Sequence, residues 1–194
     1  LSNGGVHSHI NHLKGLISAA HNEGLDNLYV HAFTDGRDVD PKSGVSFIKE
    51  LQDHLDKTSG KIASVIGRYY AMDRDKRWER VKKSYDLLVN GIGEKTTDII
   101  ETIENSYVNG LTDEFIEPIL NTENNEPIAT IEKDDVVIFF NFRTDRGRQL
   151  TQVLSQNSFS EFEMNPLSLY YVTLTNYDQT FQNIKVIYNK EDLK

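Results

Sequence analysis

Short apolar runs alternate with amphipathic stretches of helical period along most of this chain, and few folds accept that order. Ile10, Leu13, Leu16, Ile17 and Ala20 fall at helical spacing ahead of Gly24, which predicts a helix over Ser8 to Glu23. Asn27 to Phe33 reads as a buried strand. Val45, Ile48, Leu51 and Leu55 mark a second helix between Pro41 and Gly60, and Lys61 to Gly67 a second strand. Trp78, Val81, Tyr85 and Leu88 mark a third helix with Asp75 as its N-cap, and Thr97 to Val108 a fourth that stops at Asn109-Gly110. Residues 111–133 hold Pro118, Pro127 and a polar run from Asn121 to Glu126, and read as irregular, a hairpin or an exposed loop. Asp135 to Phe142 is the strongest strand, and its unbroken apolar run suits burial on both faces. A helix over Thr144 to Leu154, a strand over Leu167 to Leu174 and a last strand over Ile184 to Tyr188 follow. Repeated strand-then-helix order predicts an α/β fold, a three-layer α/β/α sandwich with a mostly parallel sheet. The 194 residues suffice for one domain, and residues 189–194 resemble a linker leading elsewhere.

The positive charges divide by type. Thirteen lysines are scattered, whereas the eight arginines occupy three short segments: Arg37; Arg68, Arg74, Arg77 and Arg80; Arg143, Arg146 and Arg148. A planar guanidinium forks onto carboxylate or phosphate, while lysine mostly solvates a surface. Each segment follows a predicted strand, and ligands of open parallel sheets bind beyond the carboxyl ends of the strands. Three strands therefore bring cations to one rim, and an anionic ligand is the economical reading. The plainer alternative pairs each arginine with a nearby carboxylate among Asp35, Asp38, Asp73, Asp75 and Asp145. In Thr34-Asp35-Gly36-Arg37-Asp38, Gly36 permits a tight turn. An aspartate beside arginine stays ionised and can orient a substrate hydroxyl or take its proton. Arg143 and Arg146 stand at a predicted helix start, where the macrodipole favours an anion.

Other chemistry finds little support. A net charge of −9 argues against a nucleic-acid partner. No apolar run approaches the roughly 20 residues of a membrane span. The absence of cysteine excludes disulfides and thiolate metal sites and agrees with a cytoplasmic location. His7, between the Gly4-Gly5 turn and a helix, can face the same crevice. His7 and His9 have no acidic partner at a ligand-like spacing, so no metal site is expected. No nucleophile elbow, phosphate-binding loop or dinucleotide fingerprint is present. The chain reads as a binding site without a nucleophile.

Five segments, in order, carry a family resemblance: Gly4-Gly5-Val6-His7-Ser8-His9; Asp35-Gly36-Arg37-Asp38; Gly67 to Trp78; Thr112-Asp113-Glu114-Phe115; and Phe139-Phe140-Asn141-Phe142-Arg143-x-Asp145-Arg146. From Ser2 to about Leu150 the chain resembles the middle domain of cofactor-independent phosphoglycerate mutases, with Asn3 where the family usually has aspartate. Residues 157–183 carry no motif. The resemblance implies a fragment of a longer two-domain, monomeric enzyme, with all of 1–194 in its substrate-binding domain. It implies interconversion of 3- and 2-phosphoglycerate through a phosphoserine. Two Mn²⁺ ions and the serine belong to a separate domain of the alkaline phosphatase superfamily, and this chain binds neither ion. By matching motifs, substrate contacts fall to His7, Arg37, Asp38, Arg68, Arg74, Arg143 and Arg146, with Asp38 as the catalytic acid/base. An apolar strand that normally leads into Ser2 is missing or nearly so. The alternatives are a phosphopentomutase, which Gly67 to Asp75 speaks against, and a free-standing phosphate-binding module without catalysis.

Overall fold

The computed structural model describes residues 1–189. The linker expected at 189–194 therefore lies, apart from Asn189, outside the described residues. Helix α1 (Ile10–Asn22) buries Ile10, Leu13 and Ile17, and His9 caps it by accepting the Asn11 amide on Nδ1 at 3.1 Å. Strand β1 (Tyr29–Thr34), α2 (Gly44–Leu55) and β2 (Lys61–Gly67) follow. The next elements are a short α3 (Arg68–Ala71), α4 (Trp78–Asn90), β3 (Glu94–Thr96) and α5 (Ile99–Val108). A 3₁₀ turn (Asp113–Phe115) leads to β4 (Ile119–Glu123) and β5 (Glu126–Pro127). The chain continues through β6 (Val136–Phe139), α6 (Arg148–Ser155), β7 (Tyr170–Thr175) and β8 (Ile184–Tyr188).

The α/β class holds, and most strand pairs are parallel. The strands form two sheets, β1-β2-β4-β3 with β5 beside β4, and β6-β7-β8. Only β2 with β4 and β4 with β5 run antiparallel among the described pairs. Every residue of β2 after Lys61 is buried, as its central position requires. On one face α1, α2 and α5 pack Ile17, Ile48, Leu51 and Ile103 against Val30, Ile62 and Val65. A second cluster packs Val81, Tyr85, Leu150 and Leu154 of α4 and α6 around Phe139 and Tyr171 of the smaller sheet. Residues 2–8 lie along the seam between the sheets. The Ser2 hydroxyl reaches Asp35 at 2.7 Å, and the Phe142 amide donates to the His7 carbonyl at 2.9 Å.

Several expectations change. Asp75 does not cap α4. The buried Asp73 carboxylate instead takes the amides of Asp75 and Arg77, both at 3.0 Å, and fixes the loop before the helix. The strand expected over Asp135 to Phe142 is shorter and covered on one face only: Val136 is 66% and Ile138 45% exposed, while Phe139 is buried. An unbroken apolar run cannot report which of its faces finds a neighbour. The helix expected from Thr144 begins at Arg148, so Arg143 and Arg146 sit in the bends before it. Residues 111–133 do contain a hairpin, but its first strand lies inside the larger sheet, where Ile119 and Leu120 pair with Val65 and Ser64. Two apolar residues after a proline are too short a run to announce a strand.

Candidate anion-binding site

The loop after β1 is organised by Asp35. Its carboxylate accepts the Ser2 hydroxyl, the amides of Arg37 at 3.3 Å and Asp38 at 3.1 Å, and Nη1 of Arg68 at 2.6 Å. Gly36 stands at φ +63°, and a Cβ there would lie 2.7 Å from Cβ of Asp113, so the turn admits only glycine. Burial pushes the Asp35 carboxyl up, but the Ser2 hydroxyl, the Asp38 amide and Arg68 outweigh it and hold the carboxyl below its ordinary range.

Arg68, at the end of β2, is 3% exposed. Its Nη1 bridges Asp35 and Asp38, the latter at 2.5 Å, and its Nη2 donates to Nε2 of His7 at 3.1 Å. Arginine can only donate, so His7 accepts on Nε2 and carries its proton on Nδ1. Burial, followed by the charges of Arg68 and Arg143, lowers the His7 pKa to about 4. The imidazole is therefore neutral near pH 7. Its buried Nδ1 has no hydrogen-bond partner and points toward Asp145, 4.0 Å away.

The loop after β6 supplies the second group. Arg143 grips Asp145 through Nε at 2.8 Å and Nη2 at 3.1 Å, and Arg74 reaches the same carboxylate at 2.9 Å. Burial raises the Asp145 pKa, but these two guanidiniums outweigh it and bring it down to about 2. Arg146 donates to the Met72 carbonyl at 2.9 Å. Burial, and then the charges of Arg68, Arg74 and Arg37, depress its pKa against a weaker pull from Asp145. Arg146 thus lies within electrostatic reach of Arg68, Arg74 and Arg37. Arg37 stands at the edge, exposed, with Glu114 at 3.3 Å. A cleft of about 370 Å³ opens beside Arg74 and Asp145, walled further by Lys76, Arg148 and Gln149.

The seven residues singled out from sequence thus gather around one rim, but in unlike states. The buried His7 and the half-buried Asp38 both pair with the buried Arg68 and form one group. Arg74, Arg143 and Arg146 form a looser one, and Arg37 joins neither by direct contact. The plainer alternative also holds in part, because Asp35, Asp38 and Asp145 do pair with arginines. Sequence reading missed Asp35 as organiser, although an aspartate two residues before Arg37 across a glycine is the signature of such a turn. Glu114 stands in the Thr112 to Phe115 segment noted above, but nothing local announced its pairing with Arg37, 77 residues away.

Residues 1–179 match the family model described as BPG-independent PGAM N-terminus. The chain is 64% identical, over its whole length, to the 2,3-bisphosphoglycerate-independent phosphoglycerate mutase of Flavobacterium psychrophilum, and 62% identical to that of Flavobacterium johnsoniae. It spans 38% of the length of each. A crystal structure of Leishmania mexicana phosphoglycerate mutase at low cobalt concentration superposes with a TM-score of 0.86 at 31% identity, covering 92% of this chain and 35% of that one. The chain belongs to the family of 2,3-bisphosphoglycerate-independent phosphoglycerate mutases.

Proposed function

We propose that the intact protein interconverts 3-phosphoglycerate and 2-phosphoglycerate, and that these residues hold the glycerate while the phosphoryl group moves. The observation that carries this reading is the gathering of Arg74 and Arg143 on Asp145, with Arg146 and Arg37 near them, around a neutral His7 and the Asp38 carboxylate. A substrate with a carboxylate at one end and a phosphate at the other suits several guanidiniums at one rim. The buried His7 Nδ1–H, unpartnered in the fold, offers one more donor. Asp38 turns Oδ2 to Arg68, while Oδ1 takes no hydrogen bond from the described residues. That free oxygen suits it to accept the proton of a substrate hydroxyl.

The two Mn²⁺ ions implied by the family resemblance do not fit these residues. Among the described residues no three His, Asp or Glu side chains are grouped to hold a metal. We assign the ions and the serine nucleophile to other parts of the intact, cytoplasmic enzyme, and expect this chain alone to bind phosphoglycerate weakly without turnover. The test is direct. The intact protein supplied with Mn²⁺ should convert 3- to 2-phosphoglycerate, and the isolated 194 residues should not. Turnover by the isolated chain would overturn the division of labour, and inactivity of the intact protein would overturn the reading itself. Asp38→Asn in the intact protein should lower kcat by about 10²-fold or more with a smaller change in KM. If only KM rose, Asp38 would be a support for its neighbours.

A further inference from the structure

One segment that the functional reading leaves without a role, Thr112-Asp113-Glu114-Phe115, lies directly beneath the site loop. Asp113 has no exposed surface. Its carboxylate accepts the Gly44 amide at the start of α2 at 2.7 Å and the Tyr107 hydroxyl at the end of α5. Its amide donates to the Pro41 carbonyl at 2.8 Å, and its carbonyl accepts the Thr34 hydroxyl at 2.7 Å. These contacts grip both ends of the stretch that carries Arg37 and Asp38, at Thr34 where β1 stops and at Pro41 and Gly44 where α2 begins. The fit leaves no slack. A Cβ on Gly44 would lie 2.4 Å from Oδ1 of Asp113, and one on Gly67 2.3 Å from the Glu114 carbonyl. The next residue, Glu114, holds the Arg37 guanidinium.

We propose that Asp113 is a positioning residue. Tied to Tyr107, it is a strut that fixes the 35–40 loop so that Asp38 and Arg37 meet the substrate in a set geometry. A buried carboxylate with no cation beside it is costly unless its oxygens are hydrogen-bonded. Here both are occupied by donors that belong to the loop's far end and to α5, so losing one donor loosens the anchor of the loop. The inference rests on the substrate-handling role proposed above for Arg37 and Asp38.

The test is a double-mutant cycle in the intact protein, joined to amide hydrogen exchange. Asp113→Asn puts an NH₂ where an acceptor is needed. It should speed exchange across residues 35–40 by roughly tenfold and lower kcat by about tenfold or more, with KM changing less. In an Asp38→Asn background it should cost no more than about twofold further, because both changes act through one group. Unchanged exchange at 35–40, or rate losses that multiply in the double variant, would overturn the proposal. If Asp113→Asn yields no folded protein, Tyr107→Phe, which removes a single donor, enters the same cycle with the same criteria. A wild-type protein without mutase activity would sink the functional reading, and the exchange result would then judge the strut alone.

Discussion

The two sides of the rim use the same residue types in opposite ways. On the β1–β2 side, Arg68 is 3% exposed and locked between Asp35, Asp38 and His7. On the β6 side, Arg74 and Arg143 are each 45% exposed and share one carboxylate, that of Asp145. Water can replace Asp145 at either exposed guanidinium at small cost, whereas nothing can replace the aspartates around Arg68. Burial therefore sets the two kinds of arginine apart: the inner one is fixed by its partners, and the outer ones keep the exposed surface that the proposed function needs for a ligand anion to replace the protein carboxylate. Electrostatic strength follows the same division, because the effective dielectric falls with depth.

This contrast can be broken most directly at Arg68. Arg68→Met leaves two carboxylates without their cation, and should destabilise the fold by about 3–5 kcal/mol. For a chain of this size that corresponds to a fall in Tm of roughly 10 °C. A thermal shift smaller than that expected from a loss of about 1 kcal/mol would mean that Arg68 is no more structural than its exposed counterparts. On the other side, Arg143→Ala should change stability by less than about 1 kcal/mol. In the intact protein it should raise KM for phosphoglycerate by roughly tenfold to several hundredfold. Equal effects of both substitutions on stability would erase the distinction.

A smaller effect sharpens the comparison through pH. His7 is held neutral, with its pKa lowered from 6.5 to about 4. Between those values the unfolded chain takes up a proton that the folded chain refuses, so stability present above pH 6.5 is lost as the pH falls toward about 4. Asp145 titrates lower: its contribution is present above the unfolded value of 3.8 and is lost as the pH falls toward about 2. Urea titrations at several pH values should therefore show the inner group failing first. In His7→Asn the loss between pH 6.5 and 4 should shrink, with the remainder supplied by His31, which burial also lowers to about 4. An unchanged slope in that variant would remove His7 from the account.

How much of this was legible beforehand depends on the range of each interaction. Lys61 to Gly67 and Ile184 to Tyr188 have the boundaries that their apolar patterns predict. The Asp35 turn could have been recognised from Asp-Gly-Arg alone. Asp113 could not, because its partners Thr34 and Gly44 lie 79 and 69 residues away and nothing in Thr112 to Phe115 advertises them. β4 escaped for a related reason: its place in the sheet comes from a partner strand, with only Ile119 and Leu120 as local signal.

The α/β class, most of the helices and strands, and the clustering of arginines behind three strands are all written in local residue patterns. These follow from side-chain periodicity and backbone preference, which act within a few residues. Long-range packing alone divides the strands into two sheets, leaves Val136 and Ile138 of β6 exposed among the described residues, and encloses Arg68 while Arg143 stays open. Those outcomes turn on which surfaces lose contact with water when distant segments pack, and the enclosing aspartates stand 30 and 33 residues from Arg68 along the chain. A guanidinium has the same chemistry at every position in a sequence, and its depth in the folded chain is what sets one apart from another.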